Sequence, residues 1–70
     1  MLHIQYESAN EGDIQITISD IAGKTVYSQI QNCEKGINRQ KVNTNHLGKG
    51  YYIIHILNGN DLQSLKFIKN

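Results

Sequence analysis

Apolar and polar residues alternate along most of this chain, and the alternation has a period of two. Leu2, Ile4 and Tyr6 interleave with His3, Gln5 and Glu7, the pattern of a half-buried strand. Ile14, Ile16 and Ile18 interleave with Gln15, Thr17 and Ser19, the most regular strand pattern in the sequence. Thr25 to Ile30 reads as its returning partner, with Val26, Ser28 and Ile30 on one face and Thr25, Tyr27 and Gln29 on the other. Ile37 to Val42 is a weaker, more polar strand, with Val42 its inward side chain. Arg39 and Lys41 there would face water and discourage edge-to-edge pairing. Tyr51 to Leu57 is apolar on both faces apart from His55, as expected of a strand central in its sheet and covered on both sides. A last strand, from about Asp61 to Lys69, places Gln63, Leu65, Phe67 and Lys69 on one face and Leu62, Lys66 and Ile68 on the other.

The connections carry turn chemistry. Ser8 to Gly12 is a cluster of turn formers. Asp20 opens a turn that Gly23 closes, which fits a type I turn with Gly23 in the left-handed region and makes residues 13–30 a hairpin. Gln31 to Lys35 is polar, ends at Gly36 and reads as a loop. In the connection 43–49, Thr44 or Asn45 is placed to cap a single helical turn, and Leu47 to plug the bottom of the core. Gly48 and Gly50 permit a sharp turn into the next strand. Asn58-Gly59 is the strongest short hairpin signal available. Six strands spaced about 8–12 residues apart, with a possible seventh in residues 37–47, predict an all-β antiparallel sandwich.

Length and charge narrow the picture. Seventy residues make one domain, 1–70, with a modest core. Cys33 is the single cysteine, so neither a disulfide nor a multi-cysteine zinc site can brace it. The net charge of +1 argues against a nucleic-acid or membrane-surface role. No apolar run approaches the roughly 20 residues needed to span a bilayer. Met1 to Ile4 lacks the layout of a signal peptide, and a chain that starts straight into a strand is expected to be a piece of a longer one.

Candidate chemistry is sparse. His3, His46 and His55 fall at no metal-ligand spacing, although His3 and His55 could meet across the outer face of a sheet. Cys33, beside Glu34 in a polar loop, reads as an exposed incidental thiol. Asp13, Asp20 and Asp61 sit at turns or strand ends, where Asp bonds nearby backbone N–H groups. Tyr51 and Tyr52 point to opposite faces. Tyr52, sharing a face with Ile54 and Ile56, is the core residue and is placed like the tyrosine corner of Ig-like sandwiches. Lys66 and Lys69 flank Phe67-Ile68, either as gatekeepers of an edge strand or as a docking tail. With no nucleophile triad, paired carboxylates or phosphate-binding glycine loop, the chain reads as a non-enzyme without metal or cofactor.

Four segments, in order, resemble the type A C-terminal sorting domain of the bacterial type IX secretion system of the Bacteroidota. Ile14 to Val26 (IQITISDIAGKTV) is similar to that family's strand, D-x-x-G-[KR] turn and strand, with Asp20 and Gly23 at the turn. Gly36-Ile37-Asn38 is similar to its Gly-x-Asn step. Leu47 to Ile56 (LGKGYYIIHI) is similar to its L-x-x-G-x-Y-x-[VI]-x-[VI] signature, through Leu47, Gly50, Tyr52, Ile54 and Ile56. Asn58-Gly59 followed by Lys66-Phe67-Ile68-Lys69 is similar to its ending. The N-P element that usually precedes the first strand is absent, His55 stands where a basic residue is common, and Asp61 to Ser64 carries less charge than usual.

The resemblance implies an Ig-like, Greek-key antiparallel β-sandwich of about seven short strands, serving as the C-terminal address of a larger exported protein. It implies transit through the periplasm, recognition by outer-membrane translocon or shuttle components, and removal by a sortase-type peptidase, leaving an N-terminal cargo at the cell surface or outside the cell. Translocon recognition is expected at Lys66, Phe67, Ile68 and Lys69, with Gly50 and Tyr52 holding the platform, and the isolated domain is expected to be a monomer or weak dimer. The competing reading is a generic Ig-like accessory module that binds carbohydrate or protein. A fibre or adhesin subunit, requiring strand donation between chains, is a third.

Overall fold

A computed structural model describes residues 2–70. Six strands run in sequence order: β1 (Leu2–Ser8), β2 (Gly12–Asp20), β3 (Thr25–Cys33), β4 (Gly36–Val42), β5 (Gly50–Asn58) and β6 (Asp61–Lys69). All pairings are antiparallel. β1 and β4 form a two-stranded sheet, and the other four form a sheet in the order β3-β2-β5-β6. The fold is therefore all-β, with six strands among the described residues. The expected seventh strand does not form: residues 37–42 belong to β4, and 43–49 hold no strand.

The large sheet is two hairpins laid side by side. β2–β3 and β5–β6 each fold locally, and β2 then pairs with β5, in a register running from Gln15↔Leu57 to Asp20↔Tyr52. The alternation seen in the sequence decides which side is buried. Ile14, Ile16 and Ile18 of β2 are at most 1% exposed, and each such burial contributes about 1.5–3 kcal/mol. Tyr52, Ile54 and Ile56 of β5 continue the same layer, and Ile4, Tyr6 and Val42 of the small sheet close over it. Leu47 joins this core from the β4–β5 connection, as its isolation in a polar stretch suggested.

The turns explain how short loops suffice. The Asp20 carboxylate accepts from the Ala22 and Lys24 N–H groups at 3.0 and 2.9 Å. The Gly23 N–H donates to the Asp20 carbonyl at 3.0 Å, and Gly23 takes φ 89°, a conformation that costs a residue with a Cβ. At the other hairpin Asn58 pairs with Asp61, and Gly59 (φ 61°) is the first of the two loop residues, the position that a type II′ turn reserves for glycine.

Several local expectations need correction. β3 runs on through Gln31 and Asn32 to Cys33, so the loop read at 31–35 shrinks to Glu34 and Lys35. Cys33 is buried at 4% exposure, with its thiol 3.5 Å from Ser8 Oγ; it is not an exposed thiol. The inward face of β3 carries Tyr27, Gln29 and Gln31, paired with Ile18, Ile16 and Ile14, while Ile30 lies outside at 68% exposure. A bulge at Ile18/Ser19 accounts for Val26 packing against the core as well as Tyr27. The 43–49 connection makes a turn closed by Leu47 N–H to the Thr44 carbonyl (3.0 Å), not a helical turn. Its side-chain cap is Asn43, whose Oδ1 accepts from the Asn45 N–H at 2.9 Å. His3 and His55 lie on different sheets and do not meet.

A candidate recognition surface on the terminal hairpin

β5 is central and β6 is the sheet's edge, so β6 presents one row of backbone groups that no strand among the described residues pairs. The register sorts the side chains of the two strands into two faces. Inward lie Tyr52↔Phe67, Ile54↔Leu65 and Ile56↔Gln63; outward lie Tyr51↔Ile68, Ile53↔Lys66, His55↔Ser64 and Leu57↔Leu62. β5 is thus central as its sequence suggested, but it is covered on one face only. Tyr51 is 55% exposed and Leu57 41%. An apolar pattern on both faces reports a central strand here without reporting a second cover.

The four terminal residues expected to be read by a partner fall on both faces. Phe67 faces inward and stacks on Tyr52, with ring centroids 5.3 Å apart and an interplanar angle of 21°. Lys69 also turns inward, and its ammonium donates to the Thr44 carbonyl. Lys66 and Ile68 face outward, beside Ile53 and Tyr51. Tyr52, the platform residue, donates from its hydroxyl to the Gly48 carbonyl at 2.7 Å, four residues upstream, in the manner of a tyrosine corner. Gly50 opens β5 opposite Lys69, at φ 149°. Among the other signature positions, Ile54 is buried and Asp20, Gly23, Asn58 and Gly59 form the two hairpin turns.

The outer face around these residues is not uniform. Tyr51, Ile53 and Ile68 make an apolar patch beside Lys66 at one end. Leu57 and Leu62 make a second at the other, with the exposed Ile30 set apart from them by Gln15. Between them runs a polar band in which His55 Nδ1 lies 3.1 Å from Ser64 Oγ, beside Thr17 and Ser28.

Three residues that the sequence marks only as a turn former (Ser8), a helical-turn cap (Thr44) and part of the Gly-x-Asn step (Asn38) hold the terminal hairpin and the crossing between the sheets in place. Ser8, buried at the end of β1, accepts from the Asn58 amide and donates to the Asn10 carbonyl at 2.6 Å, so it ties the β5–β6 turn to the small sheet. Thr44, also buried, supplies the carbonyl that holds Lys69. Asn38 clamps the crossing between the sheets: its Oδ1 accepts from the Glu34 N–H at 2.9 Å, and its Nδ2 donates to the Glu34 and Gly36 carbonyls at 2.7 and 3.2 Å. The Gly36-x-Asn38 spacing carried that signal. Nothing local signals the tie of Ser8 to Asn58 or of Thr44 to Lys69, because those partners are distant in sequence.

One family model, the secretion system C-terminal sorting domain, matches residues 1–70, the full length of the chain. The chain belongs to this family. Comparison with curated proteins and with solved structures returned no match. As a sorting domain of the type IX secretion system, it is a non-catalytic signal that sorts a fused cargo. It marks that cargo for export across the outer membrane to the cell surface or extracellular space. Interaction with the secretion machinery follows from that role.

Proposed function

We propose that the secretion machinery reads this sorting domain at β6. The observation that carries this is an edge strand whose outward side chains, Lys66 and Ile68, stand beside the exposed Tyr51 and the half-buried Ile53. A partner strand added along that edge gains main-chain hydrogen bonds, and side-chain pockets for alternate residues give specificity. Within Lys66–Lys69 the work divides. Lys66 and Ile68 make the contacts, while Phe67 on Tyr52 and Lys69 on Thr44 fix the strand that presents them. Gly50 and Tyr52 keep the platform in shape.

The finer features follow from the same reading. The two sheets that share a core, with the Tyr52–Gly48 bond, support an Ig-like sandwich. The reader is an outer-membrane translocon or shuttle component in the periplasm of one of the Bacteroidota. A sortase-type peptidase then separates the domain, a monomer or weak dimer in isolation, from the larger exported protein it serves. The domain performs no chemistry of its own.

A fluorescent protein fused ahead of the domain tests the proposal in a cell with a working type IX system. Removing residues 66–70 is expected to hold the fusion in the periplasm, and so is the double change Lys66→Ala with Ile68→Ser. Export at the unaltered level by both variants overturns it.

A further inference from the structure

The outer face of the small sheet lies away from the terminal hairpin and has no part in the reading above. There the pairs His3↔Lys41 and Gln5↔Arg39 bracket the pair Ile4↔Gln40. Strand alternation turns Ile4 into the core and sends the bracketing pairs outward. His3, Gln5, Arg39 and Lys41 consequently stand at four corners around a depression of about 400 Å³, with Ile4 and Gln40 between them. No carboxylate lines it. The acid of this face is Glu7, one step beyond Gln5 along β1 and opposite Ile37.

Two features exceed what protection of an edge strand requires. The first is the concentration of charge. The chain holds seven Lys and Arg and a net charge of +1, yet two of these cations and an imidazole line one depression. The second is that the arginine is held. Arg39 Nε donates to Gln5 Oε1 at 3.3 Å, which orients the guanidinium plane and uses one of its five N–H groups. A gatekeeping cation works by charge alone and needs neither a concavity nor a fixed plane.

The donor set indicates the ligand class. A planar guanidinium offers a two-pronged fork to oxyanions, an ammonium offers a compact charge, and the Gln5 amide and His3 ring add further N–H donors. Donors converging from four corners suit a tetrahedral oxyanion better than a planar carboxylate. We propose that this depression is a binding cradle for a phosphate group, borne by a soluble molecule or by a lipid headgroup.

The test follows backbone amides of the chain by NMR during titration with inorganic phosphate at low ionic strength, against a matched chloride titration. Saturable shifts are expected at residues 3–5 and 39–41 with phosphate and not with chloride. R39Q/K41Q is expected to weaken binding by roughly tenfold or more, given what charge-assisted hydrogen bonds contribute. K24Q/K35Q, which removes the same charge elsewhere, is expected to leave it unchanged. Both variants alter exposed side chains, and a dispersed spectrum confirms that each is folded. A second arm measures co-sedimentation with phosphatidylcholine vesicles with and without phosphatidic acid. Binding in either arm that R39Q/K41Q abolishes supports the cradle, and the arm in which it occurs identifies the source of the phosphate. Absence of binding in both, or equal loss with K24Q/K35Q, overturns it. Neither outcome bears on β6, which belongs to the other sheet.

Discussion

β5 and β6 are adjacent strands of nine residues each, paired along their whole length, and they have opposite fates. On the shared inner face, Tyr52, Ile54 and Ile56 of β5 are 8%, 3% and 2% exposed, whereas Leu65 of β6, directly opposite Ile54, is 46% exposed. The cause is the cover. A two-stranded sheet lies over a four-stranded one, and its reach ends near β6, where Gln63 Nε2 donates to the Glu7 carbonyl at 3.2 Å. The difference separates two tasks that the sequence runs together: β5 holds the domain up, and β6 is held out.

The sharpest way to break that division is Tyr52→Ala. It removes the stack on Phe67 and the bond to Gly48 and leaves a cavity, at a cost of about 3–5 kcal/mol. Thermal unfolding should show most of the domain's stability gone, at about 4–8 °C of Tm for each kcal/mol. Loss of sorting with an unchanged Tm contradicts the supporting role given to Tyr52. Next come two truncations on one face of neighbouring strands. Ile56→Ala should cost about 2–5 kcal/mol by urea unfolding, and the half-exposed Leu65→Ala about 1 kcal/mol or less. Equal costs would mean that β6 is as much a part of the core as β5.

A smaller change in stability, with the larger effect on export, is expected from Lys66→Ala with Ile68→Ser. Exposed side chains of this kind shift stability by only about 0.5 kcal/mol, so the melting curve should stay put while secretion of a fusion falls. A drop in Tm large enough to account for lost secretion would return β6 to the structural half of the comparison.

The smallest expected effect belongs to the covering sheet. Burial raises the Tyr6 phenol above its ordinary value of 10.0, the Cys33 thiol adds to the rise, and a bond with Gln31 opposes it. The folded state therefore holds this proton more tightly than the unfolded one. The stability it contributes is complete below about pH 10 and declines as pH rises through the folded value. Urea midpoints measured from pH 8 upward should decline above pH 10, and Tyr6→Phe should remove that share of the decline.

Much of this could be read directly. Period-two alternation marked β1 and β2, an apolar run marked β5, and Asp20, Gly23, Asn58 and Gly59 marked both hairpin turns and so the returning strands β3 and β6, because each of those signals is local. Leu47 stood out as an apolar residue alone in a polar stretch. What stayed hidden depends on partners far away in sequence. Gln31 and Asn32 looked like loop because their polarity masks a strand, yet Gln31 faces inward and its amide bonds Gln40 across the sheets at 2.6 Å. Cys33 is buried only because β1 ends at Ser8 beside it. The four terminal residues read as one motif even though alternation sets Phe67 and Lys69 on the face opposite Lys66 and Ile68; what only the pairing of β6 with β5 reveals is that the Phe67 face is the one turned inward, onto Tyr52.

The pairing of β2 with β5 also governs when the domain comes into existence. Gln15 waits for Leu57 and Leu2 for Val42, so the two sheets close over loops of about forty residues, and contacts of such long range make folding slow. A chain halted before β5 has no second neighbour for its most apolar strand and no platform under β6. The edge proposed as the address thus exists only after nearly all of the domain has been delivered and has folded, so an incomplete domain has no address to present.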